Sequence, residues 1–67
     1  MSFNIYYKIR NNKLLYVGLA KVKAAKTIKF DSYESCILFE DKLLRIMHNN
    51  EKITDKRVKE LSEEVNK

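Results

Sequence analysis

Residues 3–9, Phe-Asn-Ile-Tyr-Tyr-Lys-Ile, alternate apolar and polar positions and are rich in aromatic and β-branched side chains, which predicts a strand. Asn11-Asn12 interrupts the alternation, and residues 13–20 predict a second strand. A three-residue loop of Arg10, Asn11 and Asn12, with Asn12 in the left-handed region, puts Phe3, Ile5 and Tyr7 on one face with Leu15, Val17 and Leu19. The other face then carries Asn4, Tyr6 and Lys8 beside Leu14, Tyr16 and Gly18. A two-residue loop would mix the faces, so burial selects the first register. Residues 21–26 either prolong the second strand or turn at Ala24-Ala25. Residues 27–30 predict a short third strand with Ile28 and Phe30 inward.

Near Asp31 the apolar period changes from two to about 3.6, the spacing of a helix face. Asp31 is the expected cap, with Glu34 completing a capping-box-like pattern, and a helix over 32–48 stops at Asn49-Asn50, residues suited to a left-handed C-cap. Tyr33, Cys36, Ile37, Phe39, Leu43, Leu44, Ile46 and Met47 form its broad apolar face, wide enough to cover three strands, with Leu38 off it. Glu40 falls within that face, where a carboxylate calls for a tyrosine hydroxyl or a lysine as partner. A second helix over 54–66 starts at a Thr54 cap, with Ile53 and Val58 placed as a hydrophobic staple. Its narrow stripe of Val58, Leu61 and Val65 marks a lightly docked flap or a partner-binding helix. The fold class expected is α+β: an antiparallel three-stranded sheet in β-β-β-α-α order, packed by one amphipathic helix, with a short C-terminal helix. Residues 1–67 form a single domain in this reading: a basic sheet over 3–30, the main helix and the short helix.

A chain of 67 residues has room for one small core. Cys36 is the only cysteine, so no disulfide within the chain supplements that core. A lone thiol and no signal-peptide pattern point to a reducing cytoplasm, and no apolar run is long enough to span a membrane. Abundant Lys, Asn and Ile, a single Gly and no Pro are what an AT-rich coding sequence produces. That bias suits a low-GC bacterial host, and a short chain starting at Met1 suits a phage or mobile element.

Net charge is +5, unevenly spread. Residues 1–30 hold Lys8, Arg10, Lys13, Lys21, Lys23, Lys26 and Lys29 with no acid, a charge of +7, whereas residues 31–67 hold seven basic and nine acidic side chains, a charge of −2. A one-signed block attracts polyanions or an acidic protein surface; its bland counterpart is a solvated sheet whose lysines guard the edges. Catalysis has little to build on. His48 is the only histidine, no Ser or Cys stands in a nucleophile motif, no zinc-ligand spacing occurs, and Gly18 alone cannot make a glycine-rich phosphate loop. No catalytic residue, metal or cofactor is expected.

The candidate binding residues are Tyr6, Lys8, Arg10, Lys13, Tyr16, Lys21, Lys23 and Lys26. Lysines and arginine suit phosphates, while Tyr6 and Tyr16 suit stacking on unpaired bases or a cross-strand pair that steadies the hairpin. Three strands followed by a helix entered through Phe30-Asp31-Ser32-Tyr33-Glu34-Ser35, with Phe39-Glu40-Asp41-Lys42-Leu43 in that helix, resemble AP2-type domains and the arm-binding domains of phage and transposon integrases. The resemblance covers residues 3–47, and Lys29 stands where such domains often carry glycine. It implies DNA binding by the outer sheet face, with roles for Tyr6, Lys8, Arg10, Tyr16 and Lys23. Two functions follow as expectations. One is nucleic-acid binding through the basic sheet. The other is a phage-type inhibitor, anti-CRISPR-like or acting in host takeover, docked on an acidic or nucleic-acid-binding surface of a host protein. Scarce arginine favours the second, and a homodimer through the second helix is compatible with either.

Overall fold

The change of period near Asp31 is where sheet gives way to helix. A computed structural model describes residues 2–66, and Met1 and Lys67, the ends of the expected domain, lie outside them. Strands β1 (Phe3–Arg10), β2 (Lys13–Gly18) and β3 (Lys26–Phe30) precede helices α1 (Tyr33–His48) and α2 (Asp55–Val65). The fold is α+β, with a three-stranded antiparallel sheet packed against both helices. β1 is central, in the order β2-β1-β3.

The β1–β2 hairpin corrects the expected register. Asn11 and Asn12 both have positive φ, 54° and 61°, so the turn is a two-residue one of the kind whose twist matches the strands. Arg10 therefore faces Lys13 and Ile9 faces Leu14. The mixing of faces is averted by a β-bulge: Leu15 is extra, and beyond it Tyr16 faces Lys8 and Val17 faces Tyr7. Leu14 and Val17 are thus both buried, while Leu15 and Leu19, expected inside, are 55% and 53% exposed. Turn chemistry and burial are both satisfied, with Leu15 displaced by the bulge and Leu19 lying beyond the end of β2.

On the inner face Ile5, Tyr7, Leu14, Val17 and Phe30 meet Cys36, Phe39 and Leu43 of α1, together with Ile53, Val58 and Leu61. The Phe30 and Phe39 rings lie 5.0 Å apart, and Phe39 is fully buried. Leu38 is exposed as its position on the helix implies, but Tyr33 is 57% exposed, its ring set edge-to-face with Phe3 at 5.7 Å. Ser32, not Asp31, caps α1, because its hydroxyl accepts from the Ser35 N–H at 3.1 Å. At the other end Asn50 takes φ 58°, and N–H groups of Asn50 and Glu51 bond the carbonyls of Met47 and Ile46. That is the Schellman closure, with asparagine in the place glycine usually takes. Thr54 caps α2 by accepting from the Arg57 N–H, and Val58 is fully buried, so α2 is a docked part of the core. Just before it, Ile53 N–H donates to the Asn12 carbonyl at 2.8 Å and Lys52 bridges Lys13, which ties the helical layer to the hairpin end.

The central place of β1 has a topological consequence. β2 ends at Gly18, opposite Tyr6, and β3 begins at Lys26, opposite Tyr7 on the other side of β1. Residues 19–25 must join them. Their span reaches at most about 29 Å, whereas a path around the nearer end of β1 needs at least roughly 33 Å at ordinary strand spacings. The inner face is filled by the core, in which none of these residues takes part. The segment therefore straps across the outer face. The Tyr16 hydroxyl, on that face, donates to the Ala20 carbonyl at 2.8 Å and holds the strap down. Gly18 is required beneath it, since a Cβ there would stand 2.6 Å from the Tyr16 hydroxyl oxygen. At the far end of the strap Ala24 has φ 65°, and Ala25 N–H bonds the Val22 carbonyl.

Two stability changes should follow. Phe39→Ala should cost roughly 3–5 kcal/mol in urea unfolding, comparable with the whole margin of a domain this size. Ala24→Gly should instead stabilise by up to about 1 kcal/mol, because it relieves the left-handed alanine against the extra freedom of glycine; an unchanged or lower melting temperature would contradict the strap geometry.

Candidate functional site

The strands and the strap between β2 and β3 carry the cations of the acid-free block, and the structure sorts the candidate residues into four places. Tyr6 points outward at the centre of the sheet between Gly18 and Thr27 and is half-buried beneath the strap. Asn4, on the same face, has a buried Oδ1 with no hydrogen-bond partner among the described residues. Tyr16 faces Lys8 rather than Tyr6, so the expected tyrosine–tyrosine cross-strand pair is not formed. With Tyr6 covered and the Tyr16 ring laid over Gly18, neither offers an open stacking platform.

The strap carries Lys21 and Lys23, both exposed, and Lys29 is exposed at the β3 edge opposite Asn4. Lys26 is different. It pairs with Tyr7 and so sits on the inner side, where its ammonium bridges to the Asp55 carboxylate at the start of α2. The same carboxylate accepts from the Tyr7 hydroxyl at 3.3 Å. Lys26 therefore fastens α2 to the sheet. Lys8, Arg10, Lys13, Lys21, Lys23 and Lys29 make no ion pair among the described residues, whereas both arginines of the helices are paired, Arg45 with Asp41 and Arg57 with Glu60 and Glu64.

The fourth place is the hairpin end. Ile9 and Leu14 face each other inward, so the next pair, Arg10 and Lys13, projects outward. Lys52 bridges Lys13 from the other side, and residues paired in an antiparallel bridge project together. Arg10, Lys13 and Lys52 therefore stand in a row, all exposed, with backbones about 5 Å apart from one to the next. Sequence reasoning missed Lys52, because it lies in the half with net negative charge and only the tertiary bridge brings it to the strands. β3 pairs with no residue of β1 beyond Tyr7, so Lys8–Arg10 and Lys13–Tyr16 continue as a ribbon without β3, flanked at its end by Lys52 and Ile53.

Elsewhere chemistry is sparse. Among the described residues Glu40 finds neither the tyrosine nor the lysine expected for it; it is half-buried, and its charge, after burial itself, pushes the Cys36 thiol up. A shallow groove of about 360 Å³ on α1 is lined by Tyr33, Glu34, Ile37 and Leu38, without a convergent polar set. Among the described residues no cluster of three His, Cys, Asp or Glu could hold a metal ion, and no helix is long and apolar enough to cross a membrane. Comparison with protein-family models, curated proteins and solved structures finds no match.

Burial first, then the Asp55 charge and hydrogen bond, push the Tyr7 hydroxyl from 10.0 up to about 12. A pKa raised on folding stabilises the fold fully below the unfolded value and loses that contribution as pH climbs from 10 to about 12. Tyr7→Phe should cost about 1 kcal/mol at neutral pH through the lost hydrogen bond. The deficit should shrink across that alkaline window in paired denaturation curves; a pH-independent difference would show the Tyr7–Asp55 contact to be absent.

Proposed function

We propose that the protein acts by binding nucleic acid through its strand layer, without catalysis. One observation carries the reading: six of the seven cations of residues 1–30 have no ion pair among the described residues, and no acid lies within residues 1–30. In the helical half Arg45 and Arg57 find carboxylates within reach, whereas the strand layer has no acid of its own to offer. Like charges set directly opposite one another, as Arg10, Lys13 and Lys52 are, destabilise the chain that carries them. A phosphate backbone reverses that cost and releases its own counterions. The likeness of residues 3–47 to integrase arm-binding domains points the same way, although the strap moves the contact surface from the sheet face to the strap and the ribbon.

Docking on an acidic or nucleic-acid-binding protein surface would use the same side chains, and Arg10 as the layer's one arginine is the feature that favours it. Titration with duplex and single-stranded oligonucleotides at several salt concentrations separates the two. Nucleic-acid binding should weaken steeply with salt, and Arg10→Ala, Lys13→Ala and Lys52→Ala should each flatten the log–log slope by about 0.9 on duplex. Lys56→Ala and Lys59→Ala, on the exposed side of α2, should leave it unchanged. Should no oligonucleotide bind tighter than about 10⁻⁴ M at physiological salt, the protein-docking reading takes its place.

A further inference from the structure

We infer that the strap of one molecule docks in the α1 groove of a second copy, so that molecules stack strap to helix. Both surfaces carry exposed apolar side chains. At the start of the strap Leu19 is 53% exposed. On α1, the groove of about 360 Å³ between Tyr33, Ile37 and Leu38 leaves Leu38 56% exposed. Exposed aliphatic surface rimmed by charge marks a protein contact. The groove lacks the convergent polar groups that a small-molecule site needs.

Charge selects the second copy as the occupant. Leu19 is followed by Lys21 and Lys23, both exposed, in a stretch without an acid. Glu34 lines the groove, and exposed Asp31 stands just before it in the chain. None of these four charges makes an ion pair among the described residues. An aliphatic side chain beside two cations thus matches an aliphatic groove beside two carboxylates, and this chain supplies both halves. The halves cannot meet within one molecule. The strap crosses the outer face of the sheet, whereas α1 covers the inner face through Cys36, Phe39 and Leu43 and turns Glu34 and Leu38 to solvent. A contact between opposite faces is heterologous: each copy offers a strap to one neighbour and a groove to another, and the array does not close at two. The strap is held in shape beforehand, because the Tyr16 hydroxyl bonds the carbonyl of Ala20, the residue after Leu19. The row Arg10, Lys13 and Lys52 takes no part, so the inference stands apart from nucleic-acid binding.

Analytical ultracentrifugation tests it on protein freed of nucleic acid, so that none bridges the copies. The weight-average mass should grow with concentration past the dimer, and salt should weaken that growth. Leu19→Gln removes the apolar contact of the strap and Leu38→Gln that of the groove. Both residues are exposed, so each variant should keep its melting temperature. Alone, each should associate roughly tenfold or more weakly than wild type. An equimolar mixture of the two should recover the wild-type affinity yet stop at a dimer, since one intact strap meets one intact groove. The inference is overturned if wild type stays monomeric up to about 1 mM, or if its mass levels off at the dimer, as a two-fold contact requires. It is equally overturned if either variant associates as wild type does, or if the mixture associates no better than each variant alone.

Discussion

β1 supplies every backbone hydrogen bond of the sheet, because its two partners lie on opposite sides and never touch each other. With the inner face filled by helices and the ends too far around, the seven residues after Gly18 can cross only over the outer face. Tyr6 and Asn4 then become interior-like positions on a face that a simple three-stranded meander would leave wet. Within the strap Val22 and Ala25 are part-buried while Ala20 and Ala24 stay exposed. The strap needs Gly18, over which Tyr16 can lie flat enough to reach the Ala20 carbonyl.

The same constraint decides where charge emerges. Cations that a bare sheet would spread over one plane are raised onto the strap as Lys21 and Lys23 or pushed to the ribbon end as Arg10 and Lys13. Lys26, first residue of β3, falls on the inner side and is spent on Asp55. Asp55 lies in the first turn of α2, where a carboxylate also meets the favourable end of the helix dipole. One acidic side chain thus joins sheet, helix start and the buried Tyr7 hydroxyl, while six of the other acids lie in the helices and Asp31 and Glu51 in the turns before them. The strand layer is left with Lys26 as its one paired cation among the described residues, and like charges set opposite one another at the hairpin end carry a stability cost.

Local competitions were settled by tertiary context at two further points. Asp31 and Ser32 both suit an N-cap, and Ser32 takes the place because the last inward strand residue, Phe30, leaves two residues before the helix begins. The hairpin had two ways to keep apolar side chains on one face: a longer loop, or a tight turn followed by a bulge. Two consecutive asparagines, each tolerant of positive φ, make the tight turn accessible. The bulge then restores the register at the cost of exposing Leu15.

Local sequence settles three strands, two helices and the Phe39–Leu43 core seam through hydrophobic periodicity, the Thr54 cap through side-chain chemistry, and the segregation of charge through composition along the chain, because each depends on residues close in sequence. The pairing of β3 with β1, the strap over Tyr6, the inward fate of Lys26 and the recruitment of Lys52 were decided only by the tertiary structure. Each depends on which strand edge is free when distant segments meet. Periodicity places a side chain on a face, but it does not say which neighbour lies beside that face or what chain passes above it.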